Sequence, residues 1–262
     1  MSSNTLLQGR EEQLKACCAA AYASEAARFL LGDSFHPGGA ELTSRLAAAL
    51  RVGPGETVVD VASGPGKSAI QVAHETGCDV IGIELSAESV EAAARLAARE
   101  GLDGQVRFVC GDAEALLLPD ASMDGALCEC SLCTFPDKSE AAFELARVLK
   151  PGARLGLSDM TAIPERLPPE LRSLEAWVAC LGGARPVEEI ATLLEDAGFL
   201  VESTERHDEA LAELVERVRE RLRAARFLVD DAASRGLELT RAAREAIESG
   251  SLGYAVFVAR RA

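Results

Sequence analysis

The 262-residue sequence is poor in tryptophan, tyrosine and histidine, with one, two and three residues respectively. It has no run of about 18 or more apolar residues, the length that a membrane-spanning helix needs. Residues 1–15 lack the apolar core of a secretory signal, so we expect neither export nor membrane insertion and place the protein in the cytoplasm. No repeat of about 20 to 50 residues is visible, which argues against a solenoid or a propeller.

Basic residues are also scarce relative to acidic ones. The chain has 27 lysines and arginines against 42 aspartates and glutamates, a formal net charge of −15. A negative surface is repelled by nucleic acid phosphates and by anionic lipids. We therefore expect no nucleic acid or membrane partner and a small-molecule substrate. The sequence predicts no particular oligomeric state.

The number of cysteines is unusually high. Eight cysteines are too few for a disulfide scaffold, yet many for a chain with no secretory signal. We expect free thiols in a reducing compartment, and most of these thiols need another explanation. Cys78 and Cys110 lie in predicted strand regions, and we interpret them as core residues.

The order of segments predicts an α/β fold. A β-branched run, Thr57–Val61, is followed by a turn with two glycines and by a helix. Further strands over 79–84, 106–110, 125–130 and 154–158 alternate with helices. This alternation predicts a parallel sheet covered by helices on both faces.

The remaining segments complete a doubly wound, seven-stranded, mostly parallel sheet. Helices are predicted over 11–31, 40–50, 187–197 and 210–222, one helix through Trp177 and Cys180, and strands over 199–204 and 254–259. We expect four parts: an N-terminal helical lead-in and cofactor lid (1–50), a core (51–205), a helical insertion (206–250) and the last strand (251–262). A plain dinucleotide-binding fold is the alternative, and local residues decide between them.

Acidic residues and glycines mark the ends of the first strands. After Asp60, Gly64 and Gly66 let the backbone turn tightly above the next helix and approach a ligand. Glu84 ends the second strand, where a carboxylate can accept both hydroxyls of a ribose. Ala69 and Ile70 stand in the region where a dinucleotide motif has its third glycine.

With Asp112 and Ala113 after the third strand, these strand ends resemble the S-adenosylmethionine site of class I methyltransferases, over about residues 40–160. The resemblance implies S-adenosylmethionine as cofactor, with the amino-acid part near Asp60, the ribose at Glu84 and the adenine at Asp112. The full set of expected cofactor-binding residues is Gly39, Thr43, Asp60, Ala62, Ser63, Gly64, Gly66, Glu84, Leu85, Asp112, Ala113 and Glu129. His36 to Gly39, followed by Thr43, resembles an entrance loop, although a simple turn before a helix explains it equally well.

Three cysteines, Cys128, Cys130 and Cys133, lie at the carboxyl end of the fourth strand, the edge that faces the ligand crevice. Because strand side chains alternate, Cys128 and Cys130 are predicted on one face and Glu129 on the other. Ordinary buried cysteines are one alternative. Structural zinc is another, but it needs four ligands, usually in paired knuckles, and no second knuckle is present.

From about residue 57 to 199 the chain resembles arsenite methyltransferases. The segment ending in Cys130, with Lys138 and residues 144–152 after it, is similar to theirs, and so is the segment 177–183 around Cys180. The resemblance implies that Cys130 and Cys180 bind trivalent arsenic, which is methylated. Arsenic(III) is soft, prefers thiolates and keeps a nucleophilic lone pair, so no general base is needed, in keeping with the few histidines.

The chain departs from that family in its N-terminal cysteines, because Gly32 is followed by Asp33. Cys17 or Cys18 supplies a third thiol if the N-terminal helix folds over the crevice; otherwise Cys133 or Cys128 does. Another thiophilic element or a methylated arsenical is an alternative substrate, and a thiol reductant is a candidate partner. Two other functions stay open: methylation of a small organic acceptor polarised by Asp159, His36 or Glu129, and metalloid sensing without turnover.

Overall fold

The computed structural model describes residues 3–32, 34–173, 176, 179–181, 183–225 and 230–262. A seven-stranded sheet lies at its centre. Its strands are β1 (Thr57–Val61), β2 (Asp79–Glu84), β3 (Val106–Cys110), β4 (Met123–Glu129), β5 (Leu149–Ala162), β6 (Phe199–Arg206) and β7 (Leu252–Arg261). The strand order is β3-β2-β1-β4-β5-β7-β6, with β7 antiparallel to both neighbours and the other pairs parallel. The predicted fold class is confirmed.

Helices cover both faces of the sheet. They are α1 (Ser3–Ala23), α2 (Glu25–Leu31), α3 (Gly39–Leu50), α4 (Lys67–Thr76), α5 (Ala87–Arg99), α6 (Lys138–Val148), α7 (Val187–Asp196), α8 (Asp208–Ala225) and α9 (Asp230–Glu248). No helix in these described segments is long and apolar enough to cross a bilayer.

Two predicted helical regions differ from the structure. The single helix expected over 11–31 is two helices, because the Ser24 hydroxyl accepts a hydrogen bond from the Ala27 N–H and starts α2 anew. The segment between β6 and β7 holds two helices, α8 and α9, where one was predicted. Of the helix predicted through Trp177 and Cys180, residues Trp177 and Val178 lie outside the described residues, as does Gly182.

The sheet is buried on both sides by two apolar layers. Val58 and Val59 are both fully buried, yet Val58 belongs to the layer with Leu46 and Leu127, and Val59 to the layer with Leu145. Strands covered on both faces need apolar side chains at successive positions. This explains why β1 has valines at the successive positions 58 and 59 and not an alternation of apolar and polar residues.

The strand order brings the functional loops together. β1, β2, β3 and β4 are parallel neighbours, so the loops after their carboxyl ends meet at one edge of the sheet. The chain reverses its direction of strand addition between β1 and β4, and ligands of open α/β sheets bind at such a reversal.

Gly66 shapes the turn between β1 and α4. It has a φ of 82°, and a Cβ there would lie 2.5 Å from Cζ of Phe108 and 2.7 Å from Cβ of Ala93. Only glycine fits both the backbone conformation and the space.

We expect Gly66→Ala to lower the free energy of unfolding by about 2 to 4 kcal/mol, because overpacking adds to the left-handed backbone conformation. Urea denaturation measures this. Gly101→Ala is the matched control, since Gly101 also has positive φ but no atom within 4 Å of its added Cβ; its cost is about 1 kcal/mol. Equal losses in the two variants would contradict the packing argument.

Candidate active site

A cavity of about 410 Å³ lies at the edge where β1 to β4 end. Small-molecule sites usually measure about 300 to 1,000 Å³. The loops after all four strands contribute to its wall, and one face of α1 forms another part of the wall. The cavity therefore joins the predicted cofactor residues to the N-terminal helix.

The end of β1 and the loop after it leave two polar atoms unsatisfied. Ala62 has a φ of 59°, which turns the chain away from the strand. In the described part of the chain, neither Oδ2 of Asp60 nor Oγ of Ser63 has a hydrogen-bond partner, although both are buried. Burial, with the nearby Glu129 and Glu84 carboxylates, raises the pKa of Asp60 well above its usual value. Such atoms in a cavity wall are suited to a polar ligand.

Glu84 is fixed by backbone amides. Its Oε2 accepts a hydrogen bond from the Gly64 N–H at 3.0 Å, and its Oε1 accepts one from the Ser86 N–H at 2.8 Å. The carboxylate thus ties β2 to the turn after β1. Leu85, beside it, lines the cavity and is partly exposed.

Asp112 is closed off by a lysine from α1. Nζ of Lys15 lies 2.6 Å from Oδ2 of Asp112 and 2.5 Å from Oε2 of Glu114. Desolvation lowers the pKa of Lys15, but the hydrogen bonds to these two carboxylates outweigh it and raise the pKa above its usual value. Ala113 is buried between them.

The predicted entrance loop meets the end of β4. Oγ1 of Thr43 donates to the Glu129 carboxylate at 3.0 Å, and Nε2 of His36 lies 3.3 Å from the same hydroxyl. Nδ1 of His36 lies 3.1 Å from the Pro37 carbonyl oxygen. Gly39 begins α3, which carries Thr43. The loop is therefore part of the site and not only a turn.

The prediction that Cys128 and Cys130 share a face is wrong. β4 ends at Glu129, and Cys130 has a φ of 53°, so the alternation of a strand no longer applies. Cys128 is fully buried in the same apolar layer as Val59, whereas Cys130 packs against the layer that holds Cys133 and Cys180. Cys128 is a core residue, away from the cavity.

Cys130, Cys133 and Cys180 form a cluster of thiols, which we call the thiol cluster. Hydrogen bonds from Cys130 and Cys133 lower the pKa of Cys180 well below its usual value, and one from the Tyr22 hydroxyl adds to them against burial. The hydrogen bond with Cys180, together with burial, raises the pKa of Cys130, and burial first raises that of Cys133. The three thiols therefore interact closely enough to shift each other's pKa.

Only part of the thiol cluster borders the cavity. Cys130 lines it, whereas Cys133 and Cys180 lie behind Cys130 and are not among the described lining residues. Sγ of Cys180 lies 2.8 Å from the Tyr22 hydroxyl and 3.4 Å from the Cys130 carbonyl oxygen. Cys180 has a φ of 64°. In the described segments no group of three histidine, cysteine or acidic side chains is arranged to hold a metal ion.

The other cysteines differ in their exposure and in whether they line the cavity. Cys18 is buried and lines the cavity, and burial first raises its pKa to about 11. Its neighbour Cys17 is exposed and does not line the cavity. Cys78 is fully buried, as predicted. The prediction for Cys110 is wrong: it is exposed, because β3 is an edge strand.

Two polar residues hold the turn that carries Cys133. Oδ2 of Asp159 accepts a hydrogen bond from the Cys133 N–H at 2.8 Å. Nζ of the buried Lys138 donates to the carbonyl oxygens of Cys133 and Phe135, at 3.1 and 2.8 Å. Sequence reasoning named Lys138 and Asp159 without this role. It missed Lys15 and Tyr22, whose signal is the helical spacing of Lys15, Cys18, Ala19 and Tyr22.

Comparison with known proteins identifies the family. A model of the methyltransferase domain matches residues 59–157. The chain is 31% identical over 235 residues to 27-O-demethylrifamycin SV methyltransferase of Amycolatopsis mediterranei, covering 84% of this chain and 82% of that enzyme. The chain belongs to the class I S-adenosylmethionine-dependent methyltransferases. This methyltransferase therefore uses S-adenosylmethionine as its cofactor.

The relatives differ in their acceptors. The methyltransferase is 30% identical over 148 residues to an arsenite methyltransferase of Halobacterium salinarum, covering 56% of this chain and 38% of that enzyme. It spans about 60% of the length of several other methyltransferase relatives. Geranyl diphosphate C-methyltransferase from Streptomyces coelicolor shares the fold, with a TM-score of 0.73, 19% identity, and coverage of 95% of this chain and 98% of that one.

The buried Asp159 carboxyl predicts a pH dependence of stability. Burial raises its pKa to about 7, against the hydrogen bonds from Cys133 and from the Met160 N–H. The folded pKa lies above the unfolded value of 3.8. The protonated carboxyl therefore contributes stability at low pH, which is lost as the pH rises from about 4 to about 7.

We expect wild type to lose up to about 4 kcal/mol across this range relative to Asp159→Asn, because the amide cannot ionise. Urea denaturation at intervals between about pH 4.5 and 7.5 measures it. Asp120→Asn is the control, because the side chain of Asp120 is 79% exposed. Parallel pH profiles for wild type and Asp159→Asn would contradict the buried-carboxyl argument.

Proposed function

We propose that the protein methylates thiol-bound trivalent arsenic, with S-adenosylmethionine as the methyl donor. The observation that carries the proposal is the thiol cluster, which contacts the cofactor cavity through Cys130. Arsenic(III) prefers thiolates to oxygen or nitrogen ligands, and Cys180 interacts with both of the other thiols in the cluster. The arsenite methyltransferase among the relatives supports the same substrate class.

The strand-end residues fit the cofactor. The unsatisfied Oδ2 of Asp60 and Oγ of Ser63 would accept or donate hydrogen bonds to the amino-acid part. Glu84, held by two amides, keeps lone pairs for ribose hydroxyls. Asp112 and Ala113 would border the adenine. When bound, S-adenosylmethionine supplies a methyl group activated by a positively charged sulfur.

The residues of the chain hold the acceptor in place for the methyl transfer. Cys130 and Cys180 are the proposed arsenic ligands, and Cys133 is the proposed third, because the thiols of Cys130 and Cys133 both lower the pKa of Cys180. Asp159 and Lys138 fix the turn that carries Cys133. Positioning of this kind can contribute about 7 to 11 kcal/mol to lowering a barrier. The arsenic lone pair is itself the nucleophile, so no residue has to remove a proton.

Residues 1–50 are proposed to act as a lid, since α1 forms one wall of the cavity. Cys18 would meet the arsenic side of the cavity as a protonated thiol, and Cys17 would take no part. The reaction needs reduced thiols, so we place the protein in the cytoplasm with a thiol reductant as a partner. The hairpin of α8 and α9 is proposed to support the lid from outside the core.

Arsenite methylation by Cys130→Ser and Cys180→Ser tests the proposal. We expect at least a hundredfold loss of methylated product in each variant, because a hydroxyl does not replace a thiolate toward arsenic(III). Calorimetry should still detect binding of S-adenosylhomocysteine by both variants. Cys78→Ser is the control, because Cys78 is buried and does not line the cavity.

Methylation of a small organic acceptor is the second candidate. The His36, Thr43 and Glu129 group lines the cavity and can polarise a hydroxyl, and the relative from Amycolatopsis mediterranei is named for an organic acceptor. It predicts that the two serine variants keep full activity on that acceptor. Stoichiometric arsenite binding with no methylated product would instead favour a sensing module.

A further inference from the structure

One face of α1 looks into the cavity. Lys15, Cys18, Ala19 and Tyr22 are spaced three, four and seven residues apart, which places them on a single helical stripe, and all four line the cavity. Lys15 and Tyr22 are about 10 Å apart along the helix axis. The stripe therefore reaches from the cofactor end of the cavity to the thiol cluster.

Each end of this stripe is tied to a different part of the site. Lys15 is bound to Asp112 and Glu114, beside the proposed adenine position. Tyr22 is hydrogen-bonded to Cys180, a member of the thiol cluster. Because a helix is stiff over two turns, lifting α1 from the cavity breaks both ties together.

Cys180 does not itself border the cavity. It is 4% exposed and is not among the described residues that line the cavity. Its link to the cavity in this direction is the Tyr22 hydroxyl at 2.8 Å. A change at Cys180 can therefore reach the lid through Tyr22.

We propose that Tyr22 is a positioning residue through which an acceptor bound at Cys180 loosens α1 and speeds the exchange of spent cofactor. The inference rests on the proposed function for its acceptor. An arsenic atom bonded to Sγ of Cys180 takes up a lone pair of that sulfur and the space beside it, which displaces the Tyr22 hydroxyl from its 2.8 Å contact, so one of the two ties is lost. Lys15 still holds the other end. The spent cofactor can then leave before the acceptor does.

The test measures the release rate of S-adenosylhomocysteine from the full-length protein by stopped-flow displacement. We expect arsenite to speed release from wild type by about two- to tenfold, the range for losing one hydrogen bond. Tyr22→Phe should release at that faster rate without arsenite, and arsenite should add nothing further. Cys180→Ala should do the same, and the double variant should be no faster than either single variant.

Cys17→Ser is the matched control, since Cys17 lies on the same helix but is exposed; it should keep the wild-type response to arsenite. Unchanged release in Tyr22→Phe, additive effects in the double variant, or slower release with arsenite would each overturn the coupling. If arsenite is methylated but Tyr22→Phe releases like wild type, the coupling fails and the proposed function stands. If both single variants release faster but arsenite is never methylated, the coupling between Cys180 and the lid stands and the acceptor is wrong.

Discussion

The carboxyl group of Asp159 joins the fifth strand to the turn that carries the thiols. It accepts hydrogen bonds from the N–H groups of Cys133 and Met160, at 2.8 and 2.6 Å. Lys138 binds the carbonyl oxygens of the same turn from the other side. Burying both polar groups is costly unless their bonding is complete. The position of the thiol cluster, and of everything attached to it, follows from this arrangement.

The cavity wall is acidic on one side and rich in sulfur on the other. Asp60, Glu84 and Glu129 approach each other closely enough for their charges to raise the pKa of Asp60. Such a wall favours a cationic ligand and disfavours an anionic one. An acceptor that is neutral when free, such as arsenous acid, meets no repulsion there. The two proposed ligands thus suit the two sides of one cavity.

The sequence predicts what depends on local patterns. Parallel strands and their glycine turns place Asp60, Glu84 and Asp112 at one edge, and the structure has them there. The prediction that Cys128 and Cys130 share a face was wrong because the strand ends at Glu129. Where a strand ends depends on the turn that follows it. The prediction that Cys110 is a core residue was wrong because β3 lies at the edge of the sheet, and the order of the strands is not visible in a local pattern. The contact between Tyr22 and Cys180 joins residues 158 positions apart, which no local pattern reveals.

The hairpin of α8 and α9 connects β6 to β7, which are antiparallel neighbours. A connection between such strands can grow outward without crossing the sheet, and doubling its length costs only about 0.6 kcal/mol of closure entropy. Yet Nη1 of Arg221, on α8, donates to the Leu30 carbonyl oxygen at the end of α2. Sequence changes in this hairpin can therefore alter how the N-terminal helices are held, and with them access to the cavity. The residues of the sheet and its loops need not change.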